Sequence, residues 1–166
     1  MSKQFWTFLG IGLALVAIVV GISLYGNKGS HLELTGKILK VRTYEMNPNA
    51  TIVILDFRTE NPSDIPFVVK SFDIELTPAS GDPVTGMSIS KSDLDAVFKF
   101  EKFIGAKYND SLGVGDKVAP HQKFDRVVGA RFDLPESAIE SRKSIKVRFH
   151  DLDGPVSELT ESAPKQ

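Results

Sequence analysis

Hydrophobic and polar positions divide the chain into two parts with different patterns. Residues 5–25 contain no charged side chain and are mostly apolar, whereas several short runs after residue 32 alternate between apolar and polar positions. An apolar stretch of about 20 residues predicts a membrane-spanning helix, and period-two alternation predicts strands with one buried face. The pattern therefore predicts a transmembrane helix followed by a β-rich domain.

The alternating runs are short, and residues typical of turns separate them. Asn-Pro, Gly-rich and Ser-rich sequences between the runs favour tight connections. About seven short strands with little helix predict a mainly β, immunoglobulin-like antiparallel β-sandwich. We expect this domain to cover 32–159, with a flexible tail at 160–166. The predicted strands are 32–44, 51–59, 67–76, 84–90, 117–119, 124–132 and 144–149.

Residues 92–104 fit a helix and also a strand. Ser92 is a candidate helix N-cap and Gly105 a candidate C-terminal stop, and Leu94, Val97, Phe98 and Ile104 would form a buried stripe. However, Phe98 and Phe100 alternate with charged residues, as in a strand. The helix is favoured, and the strand stays open. A second short helix is predicted at 135–143, with Pro135 at its first position.

The N-terminal apolar segment is interpreted as an uncleaved signal anchor over 5–25, preceded by a short tail at 1–4. Trp6 and Tyr25 lie at its two ends, where amphipathic rings favour the membrane interface. No small-x-small cleavage site closes the run. A buried core helix is the alternative. Residues 26–31 form a Gly/Ser-containing linker to the domain.

Small residues recur along the predicted span at spacings of three and four. Because a helix turns by about 100° per residue, they share one face. Membrane helices pack closely across small side chains, so this face predicts docking to a helix of a membrane-protein partner. The alternative is that Gly and Ala are simply common in membrane helices. The face contains Thr7, Gly10, Ala14, Ala17 and Gly21.

The basic residues do not settle the side of the membrane on which the domain lies. Lys3 precedes the span, whereas Lys28, Lys37, Lys40 and Arg42 follow it, so a simple count places the domain in the cytoplasm. Large folded domains translocate with little regard to charge. We favour a non-cytoplasmic domain.

Composition excludes several kinds of chemistry. With 20 basic and 21 acidic residues the formal net charge is -1, so the chain has no electrostatic footprint for nucleic acid. Cysteine is absent, which removes disulfides, thiolate metal ligands and thiol nucleophiles. No cofactor and no small-molecule substrate are predicted.

The sequence FHDLDG at 149–154 offers the best candidates for catalysis or metal binding, namely His150, Asp151 and Asp153. Asp-x-Asp-Gly can open a calcium loop, but the further oxygen ligands of an EF-hand are missing. A polar turn after the last core strand is favoured. We therefore expect no enzymatic activity, with a metal-dependent enzyme as the alternative.

Residues 99–108 interleave lysines with aromatic residues. A solvated face over a buried aromatic row is the favoured interpretation. Contact with the membrane surface is the alternative, which the short linker allows.

The break between two apolar runs at 61–66 reads NPSDIP. Its prolines cannot donate ladder hydrogen bonds, and its polar side chains can bond the local backbone, so a scaffold turn is favoured. A contact loop stays open, since loops at sandwich ends are where such folds bind ligands. Its candidate contact residues are Asn61, Pro62, Ser63 and Asp64.

The stretch LDFRTENPSDIPFVVKSFDIEL, the following GDPVTG and the later KVAPHQKFDRVVGARFDLP carry a resemblance. They resemble late-embryogenesis-abundant domains of the water-stress-and-hypersensitive-response type, and immunoglobulin-like domains behind N-terminal anchors in bacterial envelope proteins. The resemblance covers about 34–147 and implies a sandwich with binding or structural duties and no catalytic residue. The insertion at 92–113 departs from the family pattern.

These observations predict a single-pass membrane protein that acts as a binding, scaffolding or accessory subunit of a membrane or envelope complex. The alternative is a cytoplasm-facing stress-protection protein, as the resemblance implies.

Overall fold

The computed structural model describes residues 3–26, 32–152 and 154–162. Its backbone divides into an N-terminal unit that ends at Ser30 and a larger unit that begins at His31.

The N-terminal unit contains one helix, α1, which runs from Lys3 to Gly26. Its 24 residues give a length of about 36 Å, more than the roughly 30 Å of a bilayer's hydrocarbon core. The window from Gln4 to Gly21 has a mean hydropathy of 2.0, and none of it is buried. The predicted helix is therefore confirmed, and it is long and apolar enough to span a membrane.

The larger unit is built mainly from strands, with short helices in the connections. The helices are α2 (Lys91–Phe100), a 3-10 helix (Lys102–Ile104) and α3 (Glu136–Glu140). The strands are β1 (Thr35–Asn47), β2 (Ala50–Glu60), β3 (Phe67–Thr77), β4 (Val84–Thr85), β5 (Met87–Ser88), β6 (Lys117–Val118), β7 (Lys123–Phe132), β8 (Ser144–Asp151) and β9 (Val156–Ser162).

These strands form two antiparallel sheets, in the orders β1-β2-β7-β5 and β4-β3-β8-β9, and β6 pairs with β3. The predicted mainly β antiparallel sandwich is confirmed. Side chains from the inner faces of both sheets make the core, and the rings of Phe57 and Phe149 meet across it with centroids 5.0 Å apart.

The segment from Val84 to Ser88 passes from one sheet to the other, because β4 pairs with β3 and β5 pairs with β7. Gly86 lies at the crossing, where its N–H donates to the Ile74 carbonyl at 2.9 Å. A Cβ at this position would lie 2.7 Å from the Phe132 ring. Close approach of the two sheets therefore requires glycine here.

Strand β9 is the main difference from the sequence-based prediction. The expected flexible tail at 160–166 is wrong for Thr160, Glu161 and Ser162, which pair with Lys146, Ile145 and Ser144 of β8. The alternation that marks a strand is weak here, since a buried serine takes one of its inward positions. That residue, Ser157, accepts a hydrogen bond from the Leu34 N–H at 2.7 Å. Residues 163–166 lie outside the described residues.

The helix favoured for 92–104 is confirmed, since this range contains most of α2 and the 3-10 helix that follows it. The N-cap is Ser90 and not Ser92, and the Ser90 hydroxyl accepts from the Asp93 N–H at 3.2 Å. Helix α3 begins at Glu136, with Pro135 as its N-cap residue instead of its first helical residue.

Candidate functional site

Residues 91–112, here called the inserted segment, cover the outer face of the β1-β2-β7 sheet. Leu94 of α2 and Ile104 of the 3-10 helix pack on Ile52, Ile54 and Val127 in a second hydrophobic cluster. Strand β2 is consequently buried on both faces from Ala50 to Phe57. The inserted segment is therefore a packed layer of the domain and not an open loop.

A buried ion pair fixes the middle of the inserted segment to the sheet. Arg42 on β1 and Asp56 on β2 lie 2.7 Å apart (Nη2 to Oδ2), and their side chains are 6% and 7% exposed. Arg42 Nη1 also donates to the carbonyls of Ile104 at 3.3 Å and Ala106 at 2.8 Å. One guanidinium therefore satisfies both a buried carboxylate and the backbone that follows the 3-10 helix.

Aromatic and amide side chains of the inserted segment complete this anchor. The rings of Phe98 and Tyr108 lie 5.3 Å and 5.9 Å from the Arg42 guanidinium carbon, within the range of cation–π attraction. Asn109 Nδ2 donates to Asp56 Oδ1 at 3.3 Å. The inserted segment therefore contacts both Arg42 and Asp56.

The far side of the inserted segment has its own polar attachment. Asp95 accepts from Ser111 Oγ at 2.5 Å and from Lys107 Nζ at 2.7 Å. The pKa of Asp95 is lowered mainly by the hydrogen bond from Lys107 and, to a smaller extent, by the hydrogen bond from Ser111. At the end of the inserted segment, the Leu112 N–H donates to the Val127 carbonyl at 2.9 Å.

Between these attachments the inserted segment presents an exposed surface, the aromatic tip, formed by Lys99, Phe100, Lys102 and Phe103. The side chains of Phe100 and Phe103 are 72% and 95% exposed, and both lysines are exposed as well. The expected buried aromatic row is therefore wrong for these two rings and also for Tyr108, which is 79% exposed. Positions 98 and 100 of a helix point in nearly opposite directions, so Phe98 packs on the sheet while Phe100 faces outward.

Glu101, between the two lysines, is directed back toward the sheet. It hydrogen-bonds Tyr44 of β1, and this bond is the main cause that raises the pKa of the Tyr44 phenol. Glu101 keeps its negative charge, but the two lysines outnumber it, so the aromatic tip is basic on balance.

Of the candidate metal residues, His150 and Asp151 have separate partners in the structure. His150 Nε2 lies 2.9 Å from Asp73 Oδ2 on the neighbouring strand. The Asp151 carboxylate accepts from the backbone N–H groups of Val68 at 3.0 Å and Leu152 at 2.7 Å. Asp153 lies outside the described residues. Within 3–26, 32–152 and 154–162, no three His, Asp or Glu side chains are grouped to hold a metal ion.

The NPSDIP segment is organised around a buried asparagine. Asn61 Nδ2 donates to the carbonyls of Ile65 at 2.8 Å and Val118 at 3.2 Å, and its Oδ1 accepts from the Ser63 N–H at 3.0 Å. Asn61 and Ser63 are buried, so neither is available as a loop contact. Of the four candidates, Pro62 and Asp64 remain accessible.

The small-residue face of α1 is uncovered where the structure describes it. Gly10, Ala14, Ala17 and Gly21 are exposed, and an added Cβ on either glycine meets no atom within 4 Å. The side chains of Thr7 and Tyr25 lie outside the described residues, whereas Trp6 is exposed. Helix docking through this face stays a prediction.

Sequence reasoning missed Arg42 and Asp56 as a structural pair. The signal was the run ATIVILDF at 50–57, which is apolar at nearly every position and therefore indicates a strand covered on both faces. A single aspartate inside such a run indicates a buried partner of opposite charge.

The structure of this chain is similar to two solved protein structures. One is a predicted lipoprotein of Bacillus subtilis subsp. subtilis strain 168, with a TM-score of 0.49 and 10% identity over 81% of this chain and 38% of that chain. The other is an uncharacterised β-sandwich protein of Clostridium difficile 630, with a TM-score of 0.39 and 13% identity over 78% of this chain and 86% of that one. No family model matches the sequence, and no curated protein matches it. The late-embryogenesis-abundant resemblance stays a hypothesis.

Proposed function

We propose that this protein is a single-pass, membrane-anchored, non-catalytic binding or accessory subunit of a membrane or envelope complex, with its sandwich on the non-cytoplasmic side. The observation that carries the proposal is α1, an apolar helix of 24 residues whose hydrophobic window is not buried by any residue that the structure describes. Apolar surface of this extent is costly in water. A bilayer removes that cost.

The contacts of His150 and Asp151 support a structural role for these two side chains instead of a catalytic one. The Asp151 carboxylate bonds to the backbone at the start of β3, and His150 pairs with Asp73 on the same strand. Both side chains thereby join β3 to β8. A reaction centre would instead require polar groups that converge on a shared substrate position.

Membrane anchoring and the side of the domain can be tested in one experiment, because the chain lacks cysteine. A Ser80→Cys variant places a single thiol at an exposed turn. We expect the full chain to stay in the membrane pellet after alkaline extraction, and the thiol to react with a membrane-impermeant maleimide in intact cells.

A matched variant without residues 3–26 should leave the pellet. Release of the full chain by alkali would contradict the anchor. Labelling only after the cytoplasmic side is opened would contradict the proposed side and favour the stress-protection alternative.

Association through the α1 face gives a second prediction. Gly10→Leu together with Gly21→Leu should abolish co-purification of partner proteins in mild detergent, because bulky side chains prevent close backbone approach. The sandwich should unfold at the same urea concentration as in the unaltered protein, since α1 belongs to a separate unit. The measurement is quantitative co-purification from solubilised membranes.

The matched control is Gly12→Leu together with Ser23→Leu, two small residues of the same helix outside the small-residue face. If the control and the face variants retain equal amounts of partner, the helix acts only as an anchor.

A further inference from the structure

We propose that the aromatic tip binds the surface of an anionic bilayer, with Phe100 and Phe103 in the headgroup region and Lys99 and Lys102 at lipid phosphates or carboxylates. The inference rests on the proposed membrane location and adds a second, peripheral contact to the anchor.

The first support is the exposure of both rings on a fixed support. Phe100 and Phe103 are 72% and 95% exposed, although Ile104 beside them is buried and Arg42 holds its carbonyl. The rings are therefore not a loosely placed part of the core. Because the scaffold already orders the backbone here, little conformational entropy remains to be lost when the rings insert.

The second support is the charge of the aromatic tip. Within the described residues, Lys99 and Lys102 are not among the lysines that pair with carboxylates, which are Lys91, Lys107, Lys123 and Lys146. The Lys99 ammonium lies 5.5 Å from the centre of the Phe100 ring, and Glu101 is directed to Tyr44. Two unpaired cations beside two exposed rings are complementary to anionic headgroups over an apolar interior.

A lipid surface fits this composition better than a protein partner does. Protein interfaces are enriched in aromatic residues but depleted in lysine. Two phenylalanines bury about 300–500 Å² in total, well below the roughly 800 Å² per partner of a stable protein interface. A contact this small suffices when the chain is already tethered to the bilayer, because the second binding event is then intramolecular.

The test uses the full chain in lipid nanodiscs. An Ala106→Cys variant carries a bimane label at an exposed position three residues after Phe103. Nanodiscs contain phosphatidylcholine with or without phosphatidylserine, plus a lipid that bears a doxyl quencher near the headgroup. We expect strong quenching only with phosphatidylserine. Lys99→Gln with Lys102→Gln should lower the ratio of quenched to unquenched label about 30-fold, as expected for two lysines near an anionic leaflet.

Phe100→Ser with Phe103→Ser should also abolish quenching. The matched control is Met87→Ser with Val114→Ser, since both control side chains are 72% exposed and lie outside the aromatic tip. Lys70→Gln with Lys143→Gln is the charge control, because both lysines are exposed elsewhere on the domain. Neither control should change the quenching, and all variants should keep the urea midpoint of the unaltered protein.

Quenching that is absent, or equal with and without phosphatidylserine, overturns the proposal. If the chain still resists alkaline extraction, the anchor stands and only the peripheral contact fails, whereas release by alkali removes both. If the label is shielded only when proteins from the native membrane are present, the aromatic tip binds a protein partner. That result would also overturn the lipid assignment.

Discussion

Replacing Arg42 by Met is expected to lower the free energy of unfolding of the sandwich by about 3–5 kcal/mol, as is typical when one partner of a buried ion pair is removed. The change leaves the Asp56 carboxylate, which is 7% exposed, without its cation, and it frees the carbonyls of Ile104 and Ala106. The measurement is urea denaturation of the full chain in detergent micelles, followed by far-ultraviolet circular dichroism. Amide hydrogen exchange should increase most in the inserted segment, because this segment loses its attachment to the sheet.

The control for this prediction is Arg58→Met. Arg58 also pairs with an aspartate at 2.7 Å, but the Arg58 and Asp125 side chains are 57% and 31% exposed. Water screens both charges of an exposed pair, so we expect a much smaller loss of stability than for Arg42. The double variant Arg42→Met with Asp56→Leu should recover much of the lost stability, since it removes the unpaired buried charge. Equal effects of the Arg42 and Arg58 changes would show that the buried pair does not hold the inserted segment.

Replacing Asn61 by Ala is expected to lower the free energy of unfolding by about 2–4 kcal/mol, because several buried polar groups lose their partner at once. The Asn61 amide donates to the carbonyls of Ile65, Val118 and Ala119, and its oxygen accepts from the Ser63 N–H and hydroxyl. The amide therefore joins the turn before β3 to the chain around β6. The same urea titration measures the loss.

Asp64→Ala is the comparison within the same turn. Asp64 pairs with His121 at 3.0 Å, but the two side chains are 70% and 64% exposed. We expect a change within about 0.5 kcal/mol, as for most surface substitutions. A larger loss for Asp64 than for Asn61 would mean that this turn depends on its surface pair and not on the buried amide.

Arg42 and Asn61 both stabilise the sandwich, but only Arg42 contacts the inserted segment that carries the aromatic tip. Arg42 supports the backbone just after the aromatic tip, so its loss should weaken any binding by Phe100 and Phe103 without touching those rings. Asn61 belongs to the turn between β2 and β3, and its loss should lower stability while the aromatic tip keeps its chemistry. Arg42→Met is therefore expected to lower both stability and lipid contact, whereas Asn61→Ala should lower stability alone.

The sequence by itself determined the elements that depend on neighbouring residues. The apolar run from Phe5 predicted α1, since length and composition alone decide whether a helix can cross a bilayer. Alternation and turn residues predicted most of the strands and the break at Asn61, because both signals lie within about ten residues of chain. The mainly β antiparallel sandwich follows from the same local patterns.

Other features were decided only by the tertiary structure, because the groups that interact are distant along the chain. Arg42 and the Ile104 carbonyl are 62 positions apart, and no local pattern links them. Strand β9 is specified by its pairing with β8 and by the bond from Leu34 to Ser157, 123 positions away. The difference between Phe98 and Phe100 depends on which side of α2 meets the sheet. Periodicity identifies the faces of an element, but only packing against distant strands determines which face is covered and which remains exposed.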